Sequence, residues 1–270
     1  MLTRYFLLAV TCCITFFSPL IGAADTQPVT IRIMTVVIVQ QGNFLQYLLE
    51  PYLQNHNIRI EYSTGHHNKV AQAVKAGLVD LAITHTKVKR MQKLEQQGVL
   101  MPRVPLFANP KAFLGPPGDP AKLQGIQDAV QAMQQIQDKG MCYLINPHDQ
   151  LKTLQEKLLA QVKNTKTCIN KTDADALTIM DMAVKQHAYT MWGLHPYLEK
   201  GDGKLQPVVV PDKRLLQELS GWVVSGSAVE NDARQLLDYL HSDEVKERIK
   251  SFKFPGFPEI QPWFTIEDKG

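Results

Sequence analysis

LFANPKAFLGPPGDPAKLQGI, residues 106–126, decides how the rest of the chain is read. Its first half is apolar enough for a strand over 107–114. The Gly115-Pro116-Pro117-Gly118-Asp119-Pro120 run that follows forbids both regular helix and ladder pairing, because proline has no N–H to donate and its ring restricts the residue before it. A strand therefore leaves into a stiff turn and then into a helix at 129–137. A unit of this kind in mid-chain joins one α/β stretch to another.

Working outward, the N-terminal side reads as a β-branched strand over 29–39, apolar residues at helical spacing over 44–54, and an alternating strand over 58–63. A helix over 70–76 stopped by Gly77 and a buried strand over 79–84 complete a β-α-β-α-β stretch. On the C-terminal side, helices at 129–137, 152–162 and 172–186 alternate with strands at 141–145, 167–170 and Tyr189. Strands at 205–210 and 222–225 and helices at 231–240 and 244–251 finish the chain. Alternation of this kind predicts an α/β fold with mostly parallel sheets flanked by helices. Open α/β sheets bind ligands in the crevice outside the carboxyl ends of their strands, so candidate binding residues are sought there.

Composition narrows the function classes. The 270 residues are 44% hydrophobic and 20% charged with a formal net charge of +3, an ordinary globular balance with room for two domains of about 100–150 residues. No Lys/Arg run reaches five and acids are interleaved with the bases, so no nucleic-acid partner is expected; the densest basic cluster, Lys87-Val88-Lys89-Arg90, reads as a solvated helix face near a loop. The chain has no G-x-S-x-G elbow, no H-E-x-x-H and no phosphate-binding glycine loop, so neither an enzyme nor a cofactor is expected. Arg4, an apolar stretch over 5–17 and small residues at 22–24 predict a signal peptide over 1–24, too short to span a bilayer before Ser18-Pro19 interrupts it. The mature chain is then periplasmic, without stable membrane insertion. Its remaining cysteines, Cys142 and Cys168, are expected to pair as a disulfide between two parallel neighbouring strands in an oxidising compartment.

Five segments in order, IRIMTVVIVQQGNFLQYLLEPYL, VKAGLVDLAITH, FLGPPGDPAKLQGI with DAVQAMQQI, AYTMWGLHPYL, and the ARQLLDYLHSDEVKERIKSF tail with PWF, resemble the tungstate-binding proteins of bacterial ABC transporters. The resemblance implies a two-lobed, type II periplasmic-binding fold, with lobe I formed by 25–108 and 221–270, lobe II by 109–220, and hinge crossings near 106–114 and 219–225. It also implies a monomer that closes on a small molecule or ion, such as tungstate or molybdate, and delivers it to an ABC transporter permease. The strand-end positions matching the family's binding loops are Thr35, Gln41, Gly65, His66, His85, Asn146, His148, Thr190 and Trp192.

At those loops the chain departs from the family. A Thr/Ser-rich turn is replaced by Met34-Thr35-Val36-Val37-Ile38-Val39, and Ile145 stands at an arginine position. Val and Ile side chains donate nothing to a dehydrated oxyanion, which leaves backbone N–H groups at helix N-termini to do so. The histidines His66, His67, His85, His148 and His195 read either as dispersed surface residues or as facing the cleft, where imidazole suits either an anion or a transition metal. Two alternatives therefore stand beside the oxyanion receptor: a receptor for a transition metal or small organic solute, with metal ligands unassigned, and a sensing or partner-binding protein that has lost the oxyanion site. Trp192 and Tyr143 read either as stacking surfaces or as core, Asp149 as a helix N-cap, and Gly42 and Gly65 as tight-turn residues.

Overall fold

A computed structural model describes residues 27–163, 168–171, 175–200 and 203–266. The expected signal peptide, 1–24, lies outside them, as does Asp173, expected at a helix start. Among the described residues no helix is long and apolar enough to cross a membrane.

Strand β1 (Val29–Thr35) alternates so that Ile31 and Ile33 are fully buried, and it lies between β2 (Ile58–Thr64) and β3 (Leu81–His85), parallel to both. Helices α1 (Phe44–Asn55) and α2 (His67–Lys75) make the crossovers. β9 (Leu216–Val223) then pairs antiparallel with β3, and β4 (Val104–Gly115) antiparallel with β9. The strand order is β10-β4-β9-β3-β1-β2, with β10 being Phe264–Thr265.

β4 is the long strand predicted from the opening sequence, and it changes partners along its length. Val104–Pro110 pairs with β9; Lys111–Leu114 then pairs with β7 (Thr190–Gly193), and Phe113–Gly115 with β8 (Gln206–Val208). Around this second part lie α4 (Ala129–Asp138), β5 (Tyr143–Ile145), α5 (Asp149–Leu159), β6 (Ile169–Lys171), α6 (Ala176–Lys185) and α7 (Leu194–Lys200). β5 and β6 form a separate parallel pair.

One hydrophobic cluster fills the space around β1, β3 and α1, and continues through Leu144, Ile179, Leu194 and Tyr197. Its aromatic centre is Phe44, stacked on Trp263 with ring centroids 4.3 Å apart and edge-on to Phe107 and Phe252. This places the PWF segment in the core. A second cluster joins Phe113, Met133, Tyr143, Tyr189, Met191 and Val210. Helices α8 (Glu230–Leu240) and α9 (Asp243–Ser251) cover the first cluster, and the Ser242 hydroxyl caps α9 by accepting from the Val245 N–H.

Three differences from the sequence expectations have physical causes. The strand expected over 29–39 stops at Thr35, where β2 ends level with it and its pairing with β3 stops at Ile83, and the chain goes on as short 3-10 turns, Val37–Val39 and Gln41–Asn43. Gly42 takes φ +63° there, against the Phe254 ring, where a Cβ would sit 2.9 Å from a ring carbon. The helix face expected at 87–90 extends as α3 (Lys89–Gln96), whose length the sequence did not reveal; it forms on two buried residues alone, Met91 and Leu94, amid charged neighbours. The expected disulfide is corrected: Cys142 and Cys168 do lie beside parallel strands, but no disulfide joins them. A hydrogen bond to Cys168 and burial together push the Cys142 thiol up to about 11, so Cys142 stays a neutral S–H group.

Candidate functional site

The carboxyl ends of β1, β2 and β3 open into one cavity of about 660 Å³. Val36, Val37 and Ile38 after β1, Gly65, His66 and His67 after β2, and His85 and Lys87 at and after β3 line it, with Lys89 and Arg90 of α3, His148 and Gln217 closing it. A second cavity of about 570 Å³ shares His85, Lys87 and Gln217 with the first and continues to Lys111, Lys213, Arg214 and Glu218. The two form a single groove.

Its chemistry is one-sided. The first cavity has basic and imidazole side chains but no carboxylate in its wall, and in the second Glu218 is the one acid. Arg214 is committed elsewhere: its Nε donates to Asp212 at 2.9 Å and its Nη2 to Asp128 at 2.6 Å, while Asp212 also accepts from the Ala129 N–H and is held down at about 2, its hydrogen bonds outweighing burial. By contrast, Lys87, Lys89, Arg90, Lys111 and Lys213 have no ion-pair partner among the described residues.

The backbone points the same way. Helices α2, α3 and α5 begin at this cavity with His66, Val88 and His148 in the N-cap position, and none has a side-chain cap. Of the helices that start away from it, α4 is capped by Asp128, while α1 and α8 likewise lack a side-chain cap. An uncapped N-terminus presents N–H donors without intrahelical partners together with the positive end of the helix dipole. Three of them at one cavity favour an anion.

Burial sets the titration of the side chains here. His85 is pushed down to about 4, first by burial and then by the charge of Lys111, so it is neutral at pH 7, and its Nε2 is buried without a partner. His67, whose ring centroid lies 3.7 Å from that of His66, is lowered by burial and by the charges of His66 and Arg90. Burial alone brings Lys111, 7% exposed, down to about 8.

Of the residues expected at the site, Gly65, His66, His85 and His148 line the cavity, and His67 joins them. Gly65 is needed for close approach, since a Cβ there would lie 2.9 Å from the Met34 methyl and 3.0 Å from the Lys69 Cβ. The others are engaged elsewhere. Thr35 is buried in the sheet with its hydroxyl unpartnered, and Gln41 donates to the Glu199 carboxylate. Asn146 donates to the Met191 carbonyl and accepts from the His148 N–H, Thr190 donates to the Leu144 carbonyl, and Trp192 packs between the two core clusters. His195 is wholly buried against Trp263 and bonded to the Pro262 carbonyl. His148, rather than Asp149, occupies the α5 N-cap. Sequence reasoning missed Lys111 and Lys213; Lys89 and Arg90 are exposed on α3, as expected of a solvated helix face, and also line the cavity. The available signal was the lone lysine inside the apolar strand ANPKAFLG.

Among the described residues no group of three or more His, Cys, Asp or Glu side chains is arranged to hold a metal ion.

Known proteins agree with this architecture. The fold is similar to that of the tungstate-binding protein of Desulfovibrio alaskensis G20, at 17% identity and a TM-score of 0.68 over 88% of this chain and 98% of that one. It is also similar to the tungstate ABC transporter structure from Geobacter sulfurreducens, at 20% identity and a TM-score of 0.57 over 83% and 98% of the two chains. No curated protein matches the chain in sequence. The model of the bacterial extracellular solute-binding proteins, however, matches residues 41–254, well over half of the chain, and the protein belongs to that family.

Proposed function

We propose that this protein is the periplasmic receptor of an ABC importer and that its solute is an anion held in the groove at the ends of β1, β2 and β3. One observation carries the reading: a cavity with several unpaired cationic side chains and no carboxylate, into which three helices direct uncapped N-termini. A buried anion needs convergent donors or counter-charge, and this groove supplies both. The solved tungstate proteins of the same fold agree with an anionic solute. Residues 25–108 with 221–270 act as one lobe and 109–220 as the other, and rotation about β4 and β9 closes them, as in hinge-bending receptors. A monomer exported by way of residues 1–24 delivers the closed, loaded form to a permease. The transition-metal alternative is the weaker one, because its imidazoles are spread along the groove with no third ligand gathered beside them.

Thermal unfolding of the purified protein with tungstate, molybdate, sulfate, small organic acids, amino acids or divalent metals tests this. A ligand at a hundred times its dissociation constant adds about 2.7 kcal/mol, and each kcal/mol moves the midpoint of a chain this long by about 2–4 °C. Anions are expected to raise the midpoint and metals to leave it unchanged. A rise with a metal alone would refute the reading.

A further inference from the structure

Lys111 is costly to the fold. It stands on β4 with its side chain in the wall of the second cavity and is only 7% exposed; its N–H donates to the Leu215 carbonyl, but its ammonium has no acid or hydrogen-bond partner among the described residues. An ammonium largely withdrawn from water without a counter-charge destabilises the folded state, and no acid among the described residues offsets that cost by pairing with it. Its neighbours are His85 and Lys87 from β3 and the turn after it, Lys213 and Arg214 from the turn before β9, and Gln217 and Glu218 from β9 itself. Arg214 is held by Asp212 and Asp128, so it does not compete for an anion.

We propose that the groove has two anion subsites, one at the N-termini of α2, α3 and α5 and a second at Lys111 with Lys213 on its rim, so that the solute is an organic acid carrying at least two ionised groups. This rests on the anion-receptor reading and narrows its substrate class. The shared wall residues His85, Lys87 and Gln217 make the two cavities continuous, so one elongated molecule reaches both. Neutral His85 lies between them with an unpartnered Nε2 and hydrogen-bonds the middle of the ligand. A carboxylate against Lys111 restores its full charge, so binding at pH 8.5 takes up a proton.

Calorimetric titration of the full chain with succinate, citrate, sulfate and tungstate, at pH 8.5 in two buffers of different ionisation enthalpy, is the test. Succinate or citrate is expected to bind at least tenfold more tightly than tungstate or sulfate, with net proton uptake. K111M is expected to lower that affinity at least tenfold, to abolish the uptake and to raise the melting temperature of the ligand-free protein. Lys213→Ala, at an exposed position that folding does not depend on, is expected to weaken the same acids severalfold. Tungstate or sulfate binding that is tight and indifferent to both substitutions would overturn the second subsite while leaving the anion receptor standing. Absence of binding by all four anions would overturn both.

Discussion

His85 and His195 both stay uncharged at a cost in stability. Each is pushed from the ordinary 6.5 down to about 4, chiefly by burial, so between those values the unfolded chain holds protons that the folded one does not. Stability therefore rises with pH through that window and falls on acidification, by up to about 3 kcal/mol per group, since each tenfold loss of proton affinity on folding is worth about 1.4 kcal/mol. Urea midpoints at pH 7, 5.5 and 4.5 are expected to fall steeply, and His195→Leu, which removes one of the two groups, is expected to flatten the fall. A wild-type profile level from pH 7 to 4.5 would show that neither imidazole is held neutral. The charge on Lys111 works against the fold below about pH 8, and His85 next to it limits that cost by remaining neutral.

Helices and strands near the groove differ in how far the sequence revealed them. β1, β2, α1, α4 and α8 were readable because their periodicity is a local property: one face packs into a core and the other meets solvent. The extent of α3 was not, since only Met91 and Leu94 are buried, too few to set a period beyond the basic face at its start, which also lines the groove. Asn146 follows the carboxyl end of β5 and Thr190 opens β7, yet their hydrogen bonds go to Met191 and Leu144, far off in sequence, and no local pattern tells a sheet-bonded side chain from a ligand-facing one. Absent capping side chains are an element-level signal that is legible once helix starts are known. Substituting His148→Asp should cap α5, adding about 1 kcal/mol to stability, while placing a carboxylate in an anion site. A higher melting temperature together with weakened anion binding is the expected pair of results. Unchanged anion affinity would remove the α5 N-terminus from the site.

At the scale of the molecule, the groove lies between strands that belong to different parts of the sheet, and filling it is expected to draw those parts together. Small-angle scattering should show the radius of gyration falling when a saturating anion is added, and unchanged scattering with calorimetrically confirmed binding would mean that the solute is held without closure. The core complicates a simple two-body picture, because the larger cluster runs from Phe44 through Leu144 and Leu194, and Gln41 reaches across to Glu199. The proposed closure would therefore be absorbed where hydrogen-bond partners change. β4 makes that change between Pro110 and Lys111, handing its edges from β9 to β7 within one peptide bond. This seam also governs how the polypeptide can be divided. Cutting the chain there would give each fragment a raw, unpaired strand edge, the surface that recruits further copies into aggregates, so the protein cannot be split at this strand into two soluble halves.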